Sequence, residues 1–438
     1  MSVPHLTTAL SGAILDLEKR ILEAMPTIEY WLRSQLQDHV VPFYCSVDLR
    51  NSGFKLAPVD TNLFPGGFNN LNLDFMPLCI QAMMVAVEKI CPDTHSLLLI
   101  PENHTRNIFY LQNVAVLQTI LRRTGMNVRV GTLLPGISKT LTIDLPNGSS
   151  LKLEPVQRKK NRLVLENFDP CAVLLNNDLS TGAPDILQNL EQTVIPPIHA
   201  GWATRRKSSF FTAYDYVAKE FSNLIGIDPW LINPYFASCG KINFSEKKGE
   251  DCVAKNVDDI LIEIREKYKQ YGVKEDPFVI VKADAGTYGM GIMTVKNAEE
   301  VRTLNRKQRN KMSVVKEGQP VTKILVQEGV YTFESIDSAV AEPVIYMIDR
   351  YVVGGFYRVH TGRGKDENLN APGMHFVPLS FDPSYLLPDH KINQDYTPNR
   401  FYAYSVIARL ALLTAALELE KSANSTSDAV SKINREKY

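Results

Sequence analysis

Between residues 6 and 38 apolar side chains return every three or four positions, at Leu10, Ile14, Leu17, Ile21 and Leu22, then at Ile28, Leu32 and Leu36. That period predicts one or two amphipathic helices at the start of the fold. The segment VPFYCSVDLRNSGFKLAPVDTNLFPGGFNNLN then gives a short strand-like run followed by dense Asn, Asp, Pro and Gly, the composition of a long structured loop. Helical spacing resumes from Met76 to Cys91, and the apolar run Ser96 to Pro101 predicts a buried parallel strand ending in ENHTRN. A helix near Asn107 to Thr124 and a strand at Asn127 to Thr132 follow. Alternation of this kind builds an open α/β sheet, whose binding crevice lies beyond the carboxyl ends of its strands. The run Ala172 to Leu175, followed by NNDLSTG, again delivers polar groups to such an end.

The pattern changes in the second half. PFVIVKADAGTYGMGIMTV, KILVQEGV and AEPVIYMIDRYVVGGFYRV are strand runs separated by glycine-rich turns, the signature of an antiparallel sheet. A helix is expected from Phe401 to about Leu419. The chain is therefore read as α/β and α+β, with an N-terminal open α/β domain over 1–195, a second region over 196–420 and a loosely ordered polar tail over 421–438.

A chain of 438 residues is long enough for two domains around a shared cleft. Lys plus Arg equals Asp plus Glu, 48 each, so no overall field draws it to nucleic acid or an anionic membrane. Its longest apolar stretch, Leu410 to Leu417, is shorter than a bilayer span, and the N-terminus has the charged periodicity of a helix rather than a secretory leader. The six cysteines are scattered without a CxxC pair or histidines at metal spacing, which predicts reduced, mostly buried thiols and a cytoplasmic protein. One basic cluster, HAGWATRRKSSFF, has aromatic neighbours, but it is too short for a nucleic-acid face and better suits anionic substrate groups, Arg205 among them.

Three pieces carry the candidate chemistry. In KADAGTYGMGIMTV a strand ends in Lys282 and enters a turn holding Gly286, Gly289 and Gly291, where backbone N–H groups can approach phosphate oxygens beside a lysine charge. It is neither a Walker A sequence nor the GxGxxG of a dinucleotide fold. Gln327 and Glu328 end the next strand and can form a hinge against adenine. The hairpin after Ala341 carries Glu342 and Arg358, and the loop beyond it Glu367, Asn368 and Asn370. Glu342, Glu367 and Asn370 are oxygen donors suited to Mg²⁺, and Arg358 can neutralise a phosphoryl group in transfer. Arg50, Lys55, Asp60 and Asn62 crowd one loop, and Glu102, Arg106 and Asn177 sit at strand ends. Such cations and carboxylates suit the α-carboxylate and α-ammonium of an amino acid.

In this order the three pieces resemble an ATP-grasp domain, with Lys282 and the glycines over the phosphates, Glu328 in the adenine hinge and Asn368 to Gly373 as the closing loop. The Glu-x-Asn metal pair that glutathione-synthetase-like members carry after that loop is missing here. From about residue 10 to 420 the chain resembles a bacterial family of ATP-grasp glutamate-cysteine ligases, distinct from the enterobacterial and eukaryotic ones. The resemblance rests on DLRNSGFKLAPVDTNLFPGGFNN, PENHTRN, LLNNDLSTG, PPIHAGWATRRKSSFF and KADAGTYGMGI. It implies ATP and Mg²⁺ as cofactors, glutamate and cysteine as substrates, an acylphosphate intermediate, and Lys282 and Arg358 as catalytic groups. A different ATP-grasp carboxylate-amine ligase and a nucleotide-binding protein without turnover are the alternatives, and the oligomeric state is open.

Overall fold

The apolar run Ser96–Pro101 is a central strand with every residue buried, because each face of its sheet packs on a different core. Leu97 and Leu99 point to one core, and Leu98 and Ile100 to the other. That two-sided burial explains why the run does not alternate with polar residues. The computed structural model describes residues 6–9, 12–90, 93, 95–285, 291–314, 320–379 and 400–435, the last twelve of these by backbone alone.

Ser96–Pro101 belongs to a six-stranded sheet in the order Thr193–Ile195, Ala172–Asn176, Ser96–Pro101, Asn127–Thr132, Ser150–Pro155, Leu141–Asp144. The first five run parallel and the last is antiparallel. Helices Met76–Glu88 and Ile108–Arg123 contribute to the core on one face. A four-stranded antiparallel sheet follows the order Phe236–Gly240, Lys323–Glu328, Val279–Ala283, Ile292–Val295. Helix Glu250–Tyr271 packs on it, and helix Lys207–Ile225 touches its edge strand.

The third sheet has seven strands and crosses the boundary expected at residue 195. Strands Tyr44–Asn51 and Leu56–Asn62 form a hairpin, and the first of them pairs antiparallel with Ala339–Ile348, Asp48 facing Val344. Tyr351–His360 and His375–Pro378 extend the sheet on the other side. The N-terminal region is thus not closed in on itself. The sequence predicts a loop where the second strand of this hairpin lies, because its Pro, Asp and Asn read as breakers. Those polar residues are accommodated because Asp48, Asp60 and Asn62 line a cavity while Leu49, Leu56 and Ala57 are fully buried.

The last helix runs from Arg400 to Arg435, replacing the loose tail expected from residue 421. Its first five turns are anchored by tertiary packing, and extending an existing helix needs no new nucleus. Residues 400–423 are long and apolar enough to cross a membrane, but 83% of the most apolar window is buried inside the fold, as in a core helix. This helix packs against helices Ala13–Glu23, Met25–Asp38 and Lys207–Ile225 and the 44–62 hairpin. Two ion pairs clamp it to the N-terminal helices: Arg400 donates to Glu18 at 3.0 Å, and Arg409 holds Glu29 at 2.7 and 2.8 Å.

The cysteines depart from the expected set of free thiols. Cys45 and Cys79 are buried and free, but Cys239 and Cys252 form a disulfide. The edge strand and the first turn of helix Glu250–Tyr271 bring their Cα atoms to 6.3 Å, inside disulfide range, a proximity that spacing along the chain did not reveal.

Arg400→Met leaves the Glu18 carboxylate buried without its charged partner, and should lower unfolding free energy by about 3–5 kcal/mol. The double variant with Glu18→Gln should recover part of that loss. Denaturant titration of both variants and the parent checks this, and strictly additive losses would show that the two groups do not interact.

Candidate functional site

The three sheets meet around a cavity of about 940 Å³. Its floor is the pairing of strands 44–51, 339–348 and 351–360, which brings Asp48, Glu342 and Arg358 side by side. Arg358 donates to Asp48 at 2.8 Å and to Glu342 at 2.5 Å, while the other oxygen of Glu342 accepts from Arg50 at 3.0 Å. Burial opposes the Arg358 charge, but the two carboxylates outweigh it and raise the arginine above its ordinary value. Its Nε is buried and has no hydrogen-bond partner among the described residues. A buried N–H left unpaired is costly, so this donor is well placed for a ligand atom.

A second cationic wall comes from a helix start. Asp284, just past strand Val279–Ala283, accepts from the Ser208 backbone N–H at 2.7 Å and from its hydroxyl at 2.8 Å, and its carbonyl accepts from the Lys207 N–H at 2.8 Å. The strand end therefore caps helix Lys207–Ile225 and brings Lys207 close to Lys282. Lys207 donates to Asp60 at 2.6 Å and lies over the Trp202 ring at 4.3 Å, and Lys282 donates to the Val59 carbonyl at 2.8 Å. Burial, and after it the charge of Lys207, push the Lys282 ammonium down to about 7, against the pull of Asp60 and Asp48. Burial opposes ionisation of Asp60, but Lys207 and Lys282 hold its carboxyl below the ordinary range.

The four-stranded sheet and the segment just after its strand Lys323–Glu328 supply an apolar corner from Ile280, Ile292 and Val330, with Gln327 beside them. The Gln327 amide nitrogen is buried with no hydrogen-bond partner among the described residues. Glu328 reaches the cavity edge, but its carboxylate accepts from Lys55 at 2.7 Å, from the Trp230 indole at 3.0 Å and from the Tyr235 N–H at 2.9 Å. It fixes the hinge rather than offering a free side chain.

Of the residues singled out from the sequence, Arg50, Asp60, Asn62, Glu102, Lys282, Gln327, Glu328, Glu342, Arg358, Asn368 and Asn370 all line this one cavity. Gly286 and Gly289 lie outside the described residues, and Gly291, at φ +62°, begins the return strand. Several others sit elsewhere. Lys55 is fully buried beneath Glu328, so it cannot reach a substrate carboxylate, and burial pushes its ammonium down to about 8. Arg205 is locked onto Glu418 at 2.9 Å and the Thr61 carbonyl at 2.7 Å. Arg106 is exposed away from the cavity. Asn177 turns aside, and its neighbours Asn176 and Asp178 line the cavity instead, a one-residue flip of face that alternation at a strand end produces.

The proposed metal trio does not assemble. Both oxygens of Glu342 are held by arginines, and Glu367 lies off the cavity with its oxygens on Arg363 and the Gly364 N–H. Among the described residues no three His, Cys, Asp or Glu side chains gather as metal ligands. Sequence reading also passed over Asp48, Asp178, Asn176, Tyr110 and the role of Lys207. Only Lys207 had a signal, its place in the basic cluster at a helix start.

Residues 18–419 match the family model for glutamate-cysteine ligase. The chain is 67% identical to a candidate gamma-glutamylcysteine synthetase from Methylobacillus flagellatus KT whose crystal structure is known at 1.90 Å, the match covering 96% of this chain and 100% of that one with a TM-score of 0.89. A glutathione synthetase-like effector from Globodera pallida, in its apo form, aligns at 12% identity over 79% of this chain and 77% of its own, TM-score 0.35. A D-alanyl-alanine synthetase A from Vibrio cholerae O1 biovar eltor str. N16961 aligns at 10% identity over 72% and 81%, TM-score 0.34. No curated protein matches the sequence. Since the family match runs through every residue that lines the cavity, the chain belongs to the glutamate-cysteine ligase family.

Proposed function

We propose that this enzyme joins the γ-carboxylate of L-glutamate to the amine of L-cysteine at the expense of ATP, giving γ-glutamylcysteine, ADP and phosphate. The observation that carries the reading is one cavity in which Lys207, Lys282, Arg50 and Arg358 converge beside an apolar corner with an unpaired amide donor. ATP fits with its adenine between Ile280, Ile292 and Val330, hydrogen-bonded by Gln327, and its phosphates against Lys282 and Lys207. That is the ATP-grasp arrangement, with the nucleotide held between the four-stranded and seven-stranded sheets.

A glutamate carboxylate oxygen attacks the γ-phosphorus, the bond to ADP breaks, and an acylphosphate forms. The cysteine amine then attacks the acyl carbon, phosphate leaves with the C–O bonding pair, and the ammonium proton passes to a base. Phosphoryl transfer asks the protein mainly for alignment and charge neutralisation, and here the unpaired Nε of Arg358 and the two lysines supply both. Mg²⁺ is proposed to enter on ATP, held largely by phosphate oxygens and water, which needs few protein ligands.

Arg50, expected to hold a substrate carboxylate, and Arg358, expected to neutralise the transferred phosphoryl group, are bonded differently in the fold. All three nitrogens of Arg50 are spent on the protein, on Glu342, the Val330 carbonyl and the Glu367 carbonyl. Arg50→Ala should therefore lower unfolding free energy by about 3–5 kcal/mol, seen as a reduced denaturation midpoint. Arg358→Lys keeps a charge but not the planar fork, and should cut kcat about 10²-fold with ATP affinity little changed. A larger loss in ATP affinity than in kcat would remove Arg358 from the transfer step.

The depressed Lys282 ammonium gives a proton-linked signature. Near pH 8 the free enzyme holds Lys282 largely neutral, and bound phosphate favours the charged form, so ATP binding should take up a proton. Affinity should be flat below about pH 7 and weaken above it, by up to about tenfold per pH unit. Calorimetry at pH 8 in two buffers of different ionisation enthalpy measures the uptake. Lys282→Ala should abolish it, and equal heats for the parent in both buffers would exclude Lys282 from the phosphate site.

A further inference from the structure

Strand Tyr351–His360 brings Arg358 to the cavity, and the chain then leaves the sheet for a loop over 361–374 before it returns at His375, opposite Val359. Asn368, Asn370, Pro372 and Gly373 of that loop line the same cavity as Arg358, Lys207 and Lys282. His360 stands two residues beyond Arg358, so its side chain leaves the same face of the strand, and it is only 7% exposed. Its ring bridges the two ends of the loop. The Gly362 N–H donates to Nδ1 at 3.0 Å, and Nε2 lies 3.0 Å from the Pro372 carbonyl oxygen. A backbone N–H can only donate and a carbonyl can only accept, so Nδ1 carries no proton and Nε2 carries one. The chain passes close to the ring here: a Cβ on Gly373 would stand 3.4 Å from Nε2, and Gly373 takes φ +97°, a conformation that favours glycine. The first half of the loop is tied elsewhere. The Glu367 carbonyl accepts from Arg50 at 2.5 Å, and the Asp366 carbonyl accepts from Thr294 of the four-stranded sheet at 3.2 Å. Between these ties and His360, Leu369 is fully buried and the Asn370 N–H donates to the Asn368 side chain at 3.0 Å, so the two asparagines are set as a unit.

Resting on the reading above, we propose that His360 is a positioning residue for acyl transfer: its Nε2–H holds Pro372, and with it the stretch 370–374, against the acylphosphate, and so decides whether the acyl carbon meets the amine or water. The strand that carries the phosphoryl-transfer arginine thus also carries the clasp of the loop facing it. In the unproductive branch a water oxygen attacks the acyl carbon, phosphate leaves with the C–O bonding pair, the water gives up a proton, and glutamate is regenerated for each ATP consumed. A covering loop held at both ends keeps bulk water from that carbon, whereas a loop released at Pro372 admits it. His360 touches neither substrate nor phosphate in this account. It acts through the loop.

His360→Asn and His360→Gln separate the two arms of the clasp. The Asn side-chain oxygen can take the place of Nδ1 and accept from Gly362 but cannot reach Pro372, whereas the Gln amide nitrogen can take the place of Nε2 and donate to Pro372. With ATP, glutamate and cysteine saturating, the Asn variant should form about two to ten ADP per γ-glutamylcysteine against about one for the parent, while its KM for ATP stays within about twofold. The Gln variant should bring the ratio back toward that of the parent. A lowered Tm with the parent's ratio in both variants would make His360 a purely structural residue and overturn the proposal, and so would uncoupling by Gln with none by Asn. A measurement on the parent needs no variant: ¹⁵N NMR of histidine-labelled enzyme should show a ring protonated at Nε2 and bare at Nδ1, and a proton on Nδ1 of His360 would overturn the clasp. Parent enzyme that forms no γ-glutamylcysteine from glutamate, cysteine and ATP would instead overturn the proposed reaction itself.

Discussion

Glu342 is a carboxylate buried between two guanidinium groups, and the molecule is organised around keeping it so. A charge taken out of water costs several kcal/mol unless its partners are held in good geometry. Those partners come from opposite ends of the sequence: Arg50 from the first hairpin and Arg358 from the strand after Glu342 itself. Only the pairing of strand 44–51 with strand 339–348 brings all three together. The ion cluster thus fixes the register of the central sheet, because a one-residue slip would turn its charges to the other face and leave them unpaired.

The same cluster couples stability to chemistry. Asp48 and Glu342 both accept from the same Nη1 of Arg358, and its buried Nε has no partner among the described residues. Around it the enzyme keeps charges that are only partly compensated. Lys282 is buried among Lys207, Asp60 and Asp48, with its ammonium destabilised by burial. In the proposed reaction incoming phosphate relieves that cost, so part of the folding free energy withheld at the site returns as selectivity for a polyanion.

The cavity also shows how the sheets divide the work. The antiparallel sheets bring Arg50, Lys282 and Arg358 together with Asp48, Asp60 and Glu342, a helix start brings Lys207, and strands 96–101 and 172–176 of the six-stranded sheet lead into Glu102 and Asp178. Lys55 and Arg205 lie outside this lining although both look like substrate ligands by residue type. Each is spent on a buried glutamate, Glu328 and Glu418, and so stiffens the hinge and the final helix.

Several features were legible in the residues alone, because they depend on local pattern. The helices over 13–38, 76–88 and 108–123, the all-apolar strand 96–101, the antiparallel character after Phe278 and the lysine before the glycine turn follow from periodicity and composition. The long motifs carried the family resemblance. Tertiary structure alone decided the rest. It turned the polar segment 56–62 into a strand by giving its Asp and Asn a cavity to face, and it placed Asp178 rather than Asn177 at the site. It joined Cys239 to Cys252, withdrew Lys55 and Arg205 from the cavity, and put arginines on Glu342 and Glu367 of the expected metal trio, leaving Glu367 outside the lining that Glu342 and Asn370 share. The physical reason is common to all of these. A backbone pattern is set by neighbours a few residues away, whereas the task of a charged side chain is set by which opposite charge folding buries beside it, and here those partners lie up to several hundred residues apart.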